Sequence, residues 1–356
     1  VKPGRGTGTP LLARRLSADP LVVIGPNYAH LPLAPASSLA PWLADRACTT
    51  LVVVHRTLEA EPGRRALVAA YRAHLSRYPR HRVLVLCNTE REHALLGGAG
   101  VPAVLCNHNI FVDDHVYDVD RAQPKLFDAL YNARLQPFKR HELCREVPRL
   151  ALIYDEIERS DPTYVAAVQA ALPHATFVNA LVAGAGPARP AHARAGELIN
   201  RVLAERGYAR LPPAAVAAYC NRARVGLCLS AEEGAMYASM EYLLCGLPVV
   251  TTASRGGRDF FFDPAFTLTV PADPGAVREA VAALIARAIP PEAIRAATLA
   301  VLTRERARFE GLVRRILAEA GAAGRPTPAD LFRGRPWRWH DPAALVPGGD
   351  EWMGGG

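Results

Sequence analysis

Two segments of this 356-residue chain gather side chains suited to a ligand that carries both phosphate and hydroxyl groups. In Tyr131-Asn-Ala-Arg134-Leu-Gln-Pro-Phe-Lys139-Arg140, two cations flank a turn that follows an apolar run. Arg134 can grip phosphate oxygens with paired N–H groups, and Lys139 adds a compact charge able to neutralise a departing diphosphate. In Ser230-Ala-Glu-Glu-Gly-Ala-Met-Tyr-Ala-Ser-Met-Glu241, the carboxylates of Glu233 and Glu241 can accept from sugar and ribose hydroxyls. Each feature also has an ordinary use. Loop cations are commonly solvated, an acid near a helix start complements the helix dipole, and helical glutamates usually face water.

The elements around these residues follow from the apolar pattern. From Pro20 onward, short β-rich runs alternate with longer stretches of helical period, the rhythm of parallel sheets flanked by helices. Strands are expected at Leu21–Ile24, Thr50–His55, Arg82–Cys87 and Val101–Cys106, with helices at Ser38–Arg46, Pro62–Arg77 and Glu90–Leu96 between them. After the polar stretch Asp113–Gln123 the rhythm restarts, with strands near Phe127–Asn132, Ala151–Tyr154, Thr176–Asn179, Val225–Ser230, Pro248–Thr252 and Thr267–Val270. Arg134 and Lys139 then lie past the end of one strand. Glu233 and Gly234 fall at the start of a helix that Gly246 caps and Pro248 stops. A helix N-terminus offers unpaired N–H groups and partial positive charge, and Gly234 allows close approach of a diphosphate.

The expected division is an irregular segment over 1–19, a small Rossmann-like domain over 20–123 and a larger one over 124–290. A helix over 291–322 and an irregular tail over 323–356 complete it. The balance of 50% hydrophobic and 21% charged residues is that of a packed globular protein. No apolar run reaches the roughly 20 residues of a membrane span, and Val1–Pro10 has no signal-peptide core, so the chain reads as cytoplasmic. The seven scattered cysteines form no C-x-x-C pair and read as buried thiols. A net charge of +8 attracts phosphate-bearing partners through a long-range field, which allows peripheral contact with an anionic membrane. The arginines form no basic run, so nucleic acid is not an expected partner.

The order Arg134-x4-Lys139, then Glu233-x7-Glu241, then Cys-Gly-Leu-Pro-Val-Val resembles the family 4 retaining glycosyltransferases. Leu105-Cys-Asn-His-Asn-Ile-Phe-Val-Asp113 is similar to that family's interdomain segment, and the likeness extends from about Val101 to Ala288. It implies an α/β fold of two Rossmann-like domains (GT-B), the N-terminal one abbreviated here. It also implies transfer of a sugar from a nucleotide-diphosphate sugar to an acceptor, with retention, no metal and no further cofactor. By position, Arg134 and Lys139 would bind the diphosphate, Glu233 the sugar and Glu241 the ribose. Gly234, Ala235, Met236 and Tyr237 would line the same donor site. Two other readings stay open: a donor-binding subunit or sensor without activity, and another GT-B enzyme such as a nucleotide-sugar epimerase.

His55, after Leu51-Val-Val-Val, could contact the donor sugar or cap its strand, and is counted with Glu233, Arg134 and Lys139 as a catalytic candidate. His30 has only its place after a strand and reads as an ordinary strand-end residue, and His108 and His115, in the linker, read as solvated. Asp118-Val-Asp120 has the form of a metal-binding pair but lies in the polar linker, and Gly256-Gly257 reads as a turn. The acceptor and the oligomeric state have no signature in the sequence.

Overall fold

The computed structural model describes residues 11–44, 46–155, 160–184, 211–322, 331–334 and 337–346. The chain forms two compact units, one of Val1–Asp113, Gly256–Phe260 and Leu302–Gly356, the other of Asp114–Arg255 and Phe261–Val301.

In the first unit the chain runs β1 (Leu11–Ala18), β2 (Leu21–Pro26), α1 (Ala36–Leu43), β3 (Cys48–Val53), α2 (Glu61–Arg77), β4 (His81–Cys87), α3 (Glu90–Gly98) and β5 (Ala103–Leu105). Strands β2 to β5 lie side by side in sequence order and are parallel. All residues of β2 and β3 are buried, as a sheet covered on both faces requires. Val52, Val54, Val83, Val85 and Cys87 pack with Leu67 and Tyr71 of α2 and Leu96 of α3.

Leu11–Ala18 departs from the expected irregular segment: it is a strand antiparallel to β2. Arg14 and Arg15 break its apolar alternation, and the pairing shifts register between Arg15 and Ser17, so no period-2 pattern is visible in the sequence.

The second unit contains β6 (Phe127–Asn132), β7 (Leu150–Ile153), α4 (Pro162–Ala171), β8 (Thr176–Phe177), α5 (Val178–Gly184), α6 (Pro213–Arg222), β9 (Ala223–Cys228), α7 (Tyr237–Leu244), β10 (Val249–Thr252), β11 (Thr267–Val270) and α8 (Pro274–Arg287). Its sheet is parallel throughout, in the order β8-β7-β6-β9-β10-β11. The first three strands build outward in one direction and the last three in the other. The order therefore reverses between β6 and β9, and in open α/β sheets ligands bind outside the carboxyl ends of the strands at that reversal. Gly226 lets β9 approach α7, since a Cβ there would lie 2.4 Å from the Tyr242 ring. The linker residues Asp114–Gln123 belong to this unit; Asp120 N–H donates to Asn221 Oδ1 and Asn221 Nδ2 to the Asp118 carbonyl.

The long helix α9 (Pro291–Glu319) contributes its first part to the second unit and its remainder to the first. Beyond it, β12 (Arg338–His340) pairs antiparallel with β1, so the tail expected to be irregular completes the first sheet, β12-β1-β2-β3-β4-β5. All seven cysteines are free and buried. Among the described residues no helix is long and apolar enough to cross a membrane.

A buried histidine pair joins α2 to β4, with His74 Nε2 3.1 Å from His81 Nδ1 and Tyr78 stacked on His81. Burial lowers both pKa values, that of His74 to about 4. An unfolded histidine takes up a proton below about pH 6.5 while the folded pair does not, so the stability present above that pH is lost as it falls toward 4. Denaturant titrations between pH 7.5 and 4.5 should show this loss, up to about 1.4 kcal/mol per pH unit for each such histidine. The slope should flatten in His74→Phe.

Candidate functional site

The loops that follow β6 and β9, the two strands at the reversal, carry every donor-site residue expected from the sequence except those of α7. After Asn132 the chain turns through Ala133 and Arg134, and Arg134 is partly exposed two residues beyond the strand. A 3-10 turn at Pro137–Lys139 follows, and the Tyr131 hydroxyl donates to the Lys139 carbonyl and fixes it against the strand. The second loop is laced to the first by Ala231 N–H donating to the Phe138 carbonyl at 2.9 Å.

Across these loops the Lys139 ammonium pairs directly with the Glu233 carboxylate. The two side chains are 6% and 11% exposed, so the pair sits nearly out of water, where each charge depends on the other. Glu233 is not at the helix start that the sequence suggested. Glu232 forms a parallel bridge with Arg255, and Glu233 N–H donates to the Arg255 carbonyl at 2.9 Å. That pairing keeps the backbone extended, and α7 begins only at Tyr237. Gly234, Ala235 and Met236 are buried in the connecting stretch, Tyr237 partly so.

Glu241 lies midway along α7 and is partly buried. Tyr117 Oη donates to its Oε1 and Asn132 Nδ2 to its Oε2, each at 2.9 Å. Burial raises its pKa to about 7, against these two hydrogen bonds, which favour the ionised form. Arg134, Lys139, Glu233, Gly234, Ala235, Met236, Tyr237 and Glu241 thus belong to one unit, on the loops after β6 and β9 and on α7.

Arg140, not singled out in the sequence, braces this arrangement. It adopts a left-handed conformation (φ 54°), and its guanidinium donates to the Leu229 carbonyl and to Thr252 Oγ1, each at 2.7 Å. The turn after β6 is thereby tied to the ends of β9 and β10. A positive φ at a non-glycine residue leaves no mark in a sequence.

The first unit has its own polar cluster at the carboxyl ends of its strands. His55 is exposed after β3, with its N–H on Asn27 Oδ1 and its ring stacked on His108 at 6.3 Å. His108, expected to be solvated, is 2% exposed. Its Nδ1–H donates to the Val54 carbonyl and its backbone N–H to Asn88 Oδ1. Asn107 donates from Nδ2 to the Gly257 carbonyl at 2.7 Å, and a Cβ on Gly257 would lie 2.5 Å from Asn88 Cβ. Gly257 is therefore a close approach of two backbones rather than only a turn. His115 is exposed, as expected, and so is His30. Asp118 pairs with Arg295, and Asp120 accepts from Ala122 N–H and Gln123.

Glu92, fully buried on α3, ties these loops together. Its carboxylate accepts from Thr57 Oγ1, Leu58 N–H and Asn88 N–H, while burial pushes its pKa upward. Glu92→Ala should leave these three donors unpaired and lower the unfolding free energy by about 3–5 kcal/mol, and Glu92→Gln, which keeps one acceptor oxygen, by clearly less. Equilibrium unfolding of the two variants checks the order.

A family model described as Glycosyl transferases group 1 matches residues 163–287. A search of the curated proteins finds no match. Among solved structures, sucrose-phosphate synthase from Thermosynechococcus elongatus is 16% identical over 84% of this chain and 74% of its own, with a TM-score of 0.51. Anabaena HepE in complex with UDP is 14% identical over 83% and 78%, TM-score 0.53. The UDP-forming α,α-trehalose-phosphate synthase from Burkholderia xenovorans, in complex with glucose-6-phosphate, is 14% identical over 79% and 69%, TM-score 0.51. The chain therefore has the GT-B glycosyltransferase fold, and its residues 163–287 match the group 1 glycosyl transferases.

Proposed function

We propose that this chain is a glycosyltransferase that moves a sugar from a nucleotide-diphosphate donor to an acceptor hydroxyl, with retention of configuration and without a metal. The observation that carries the reading is the gathering of Arg134, Lys139 and Glu233 on the loops at the reversal of the second sheet, with Glu241 on the helix that follows. HepE, of the same fold, has been captured with UDP. In this reading the donor diphosphate lies against Arg134 and Lys139 near the start of α7, and Glu233 faces the sugar hydroxyls. The ribose hydroxyls meet Glu241.

As the bond from sugar to phosphate breaks, negative charge grows on the leaving diphosphate. Fixed cations there lower the barrier more than they favour the bound donor, because the charge is larger in the transition state. The Lys139 ammonium is held by Glu233 and lies over the Phe138 ring, so an incoming diphosphate takes up a cation already oriented and desolvated.

Calorimetric titration with UDP, GDP and ADP and their sugars tests this. One nucleotide should bind with micromolar Kd, and Lys139→Ala and Glu241→Ala should each weaken it by about tenfold or more. Absence of binding in folded protein would overturn the reading. Binding without transfer or hydrolysis would favour a donor-binding subunit, and a rearranged nucleotide sugar as product would favour an epimerase.

A further inference from the structure

The surroundings of Glu241 are specific in a way that donor binding alone does not explain. An ionised carboxylate has about four acceptor positions, two per oxygen. Here the protein fills one on each: Tyr117 Oη on Oε1 and Asn132 Nδ2 on Oε2, both at 2.9 Å. One position per oxygen remains, and a pair of vicinal hydroxyls presents two donors. Glu241 as a whole is only partly buried.

Tyr117 is itself firmly placed. It is 7% exposed, and its carbonyl accepts from Arg295 Nη1 at 2.6 Å. The same guanidinium donates to the Leu244 carbonyl at the end of α7 and to the Asp114 carbonyl, and pairs with Asp118. One arginine thus clamps the linker that carries Tyr117 to the helix that carries Glu241. Asn132 is fixed from the other side, its backbone N–H donating to Tyr242 Oη.

We propose that Tyr117 is a positioning residue which, with Asn132, orients the Glu241 carboxylate so that its two remaining acceptor positions receive the 2′- and 3′-hydroxyls of the donor ribose. The proposal rests on the donor-site reading above. The titratable groups that face this carboxylate are Tyr117 from the linker, Cys220 from α6 and Tyr242 from α7, with Cys245 and Lys125 adjoining Cys220. Burial dominates, and the Tyr117 and Asn132 hydrogen bonds oppose it. Loss of the hydroxyl should move the carboxylate further toward its protonated form.

The test uses the full chain and Tyr117→Phe, which removes only the hydroxyl. UDP, GDP and ADP are titrated beside their 2′,3′-dideoxy counterparts from pH 6 to 8.5, with thermal melts to confirm that both proteins are folded. Removal of the hydroxyl should weaken the ribonucleotide that binds wild type by about three- to tenfold at pH 7, and its dideoxy counterpart by less than about twofold. Ribonucleotide affinity should rise with pH through about 7 in wild type, as Glu241 ionises, and reach its plateau at higher pH in Tyr117→Phe. Equal losses for ribo and dideoxy ligands at every pH, or no loss, would overturn the role of Tyr117 while leaving the donor site intact. If wild type binds none of the three nucleotides, the donor site falls, and this proposal with it.

Discussion

Burying the Lys139 ammonium is tolerable only because the Glu233 carboxylate is buried against it, and much of the carboxyl edge of the second sheet serves to keep the two together. Tyr131 fixes the backbone of Lys139, Phe138 and Ala231 join the two loops, and the bridge from Glu232 to Arg255 fixes the backbone of Glu233. Arg140 closes the set by binding the ends of β9 and β10. None of these contacts is a catalytic group in its own right. Together they fix the position of one cation, as the proposed electrostatic stabilisation of a departing group would require.

The first unit obeys the same rule with neutral partners. Parallel strands end in loops whose backbone groups have no ladder to join, and here asparagine side chains and one glutamate take them up. Asn27, Asn88 and Asn107 each bond backbone groups of another strand end, and Glu92 collects three donors from the loops after β3 and β4. A histidine packed into such a lattice keeps a fixed ring orientation, as His108 does on Val54.

The alternation of strands and helices was legible because it is local. Val, Leu and Ile runs mark buried parallel strands, and Gly246 with Pro248 marks the stop of α7. Arg134, Lys139, Glu233 and Glu241 stood out only in combination, through their order and its resemblance to a family pattern, since a loop cation or a helical glutamate taken singly is commonly solvated. Hidden were the features set by partners distant in sequence. The start of α7 at Tyr237 depends on a bridge to Arg255, and β1 depends on β2 and on β12 from the far end of the chain. His108 lies among polar residues in the sequence, Asn107 and Asn109, and only the carbonyl of Val54 and the side chain of Asn88 explain its burial.

The pairing of β1 with β12 bears on how the chain is made. During synthesis β1 and β2 emerge before the second unit, but Leu11 and Leu12 find their partners only when His340 and Trp339 have left the ribosome. The second unit, begun later, has all its strands by Val270 and its last contributing segment by Val301. The unit started first is therefore finished last. Until β12 has emerged, β1 presents an unpaired strand edge, the kind of surface to which chaperones and misdirected strands attach.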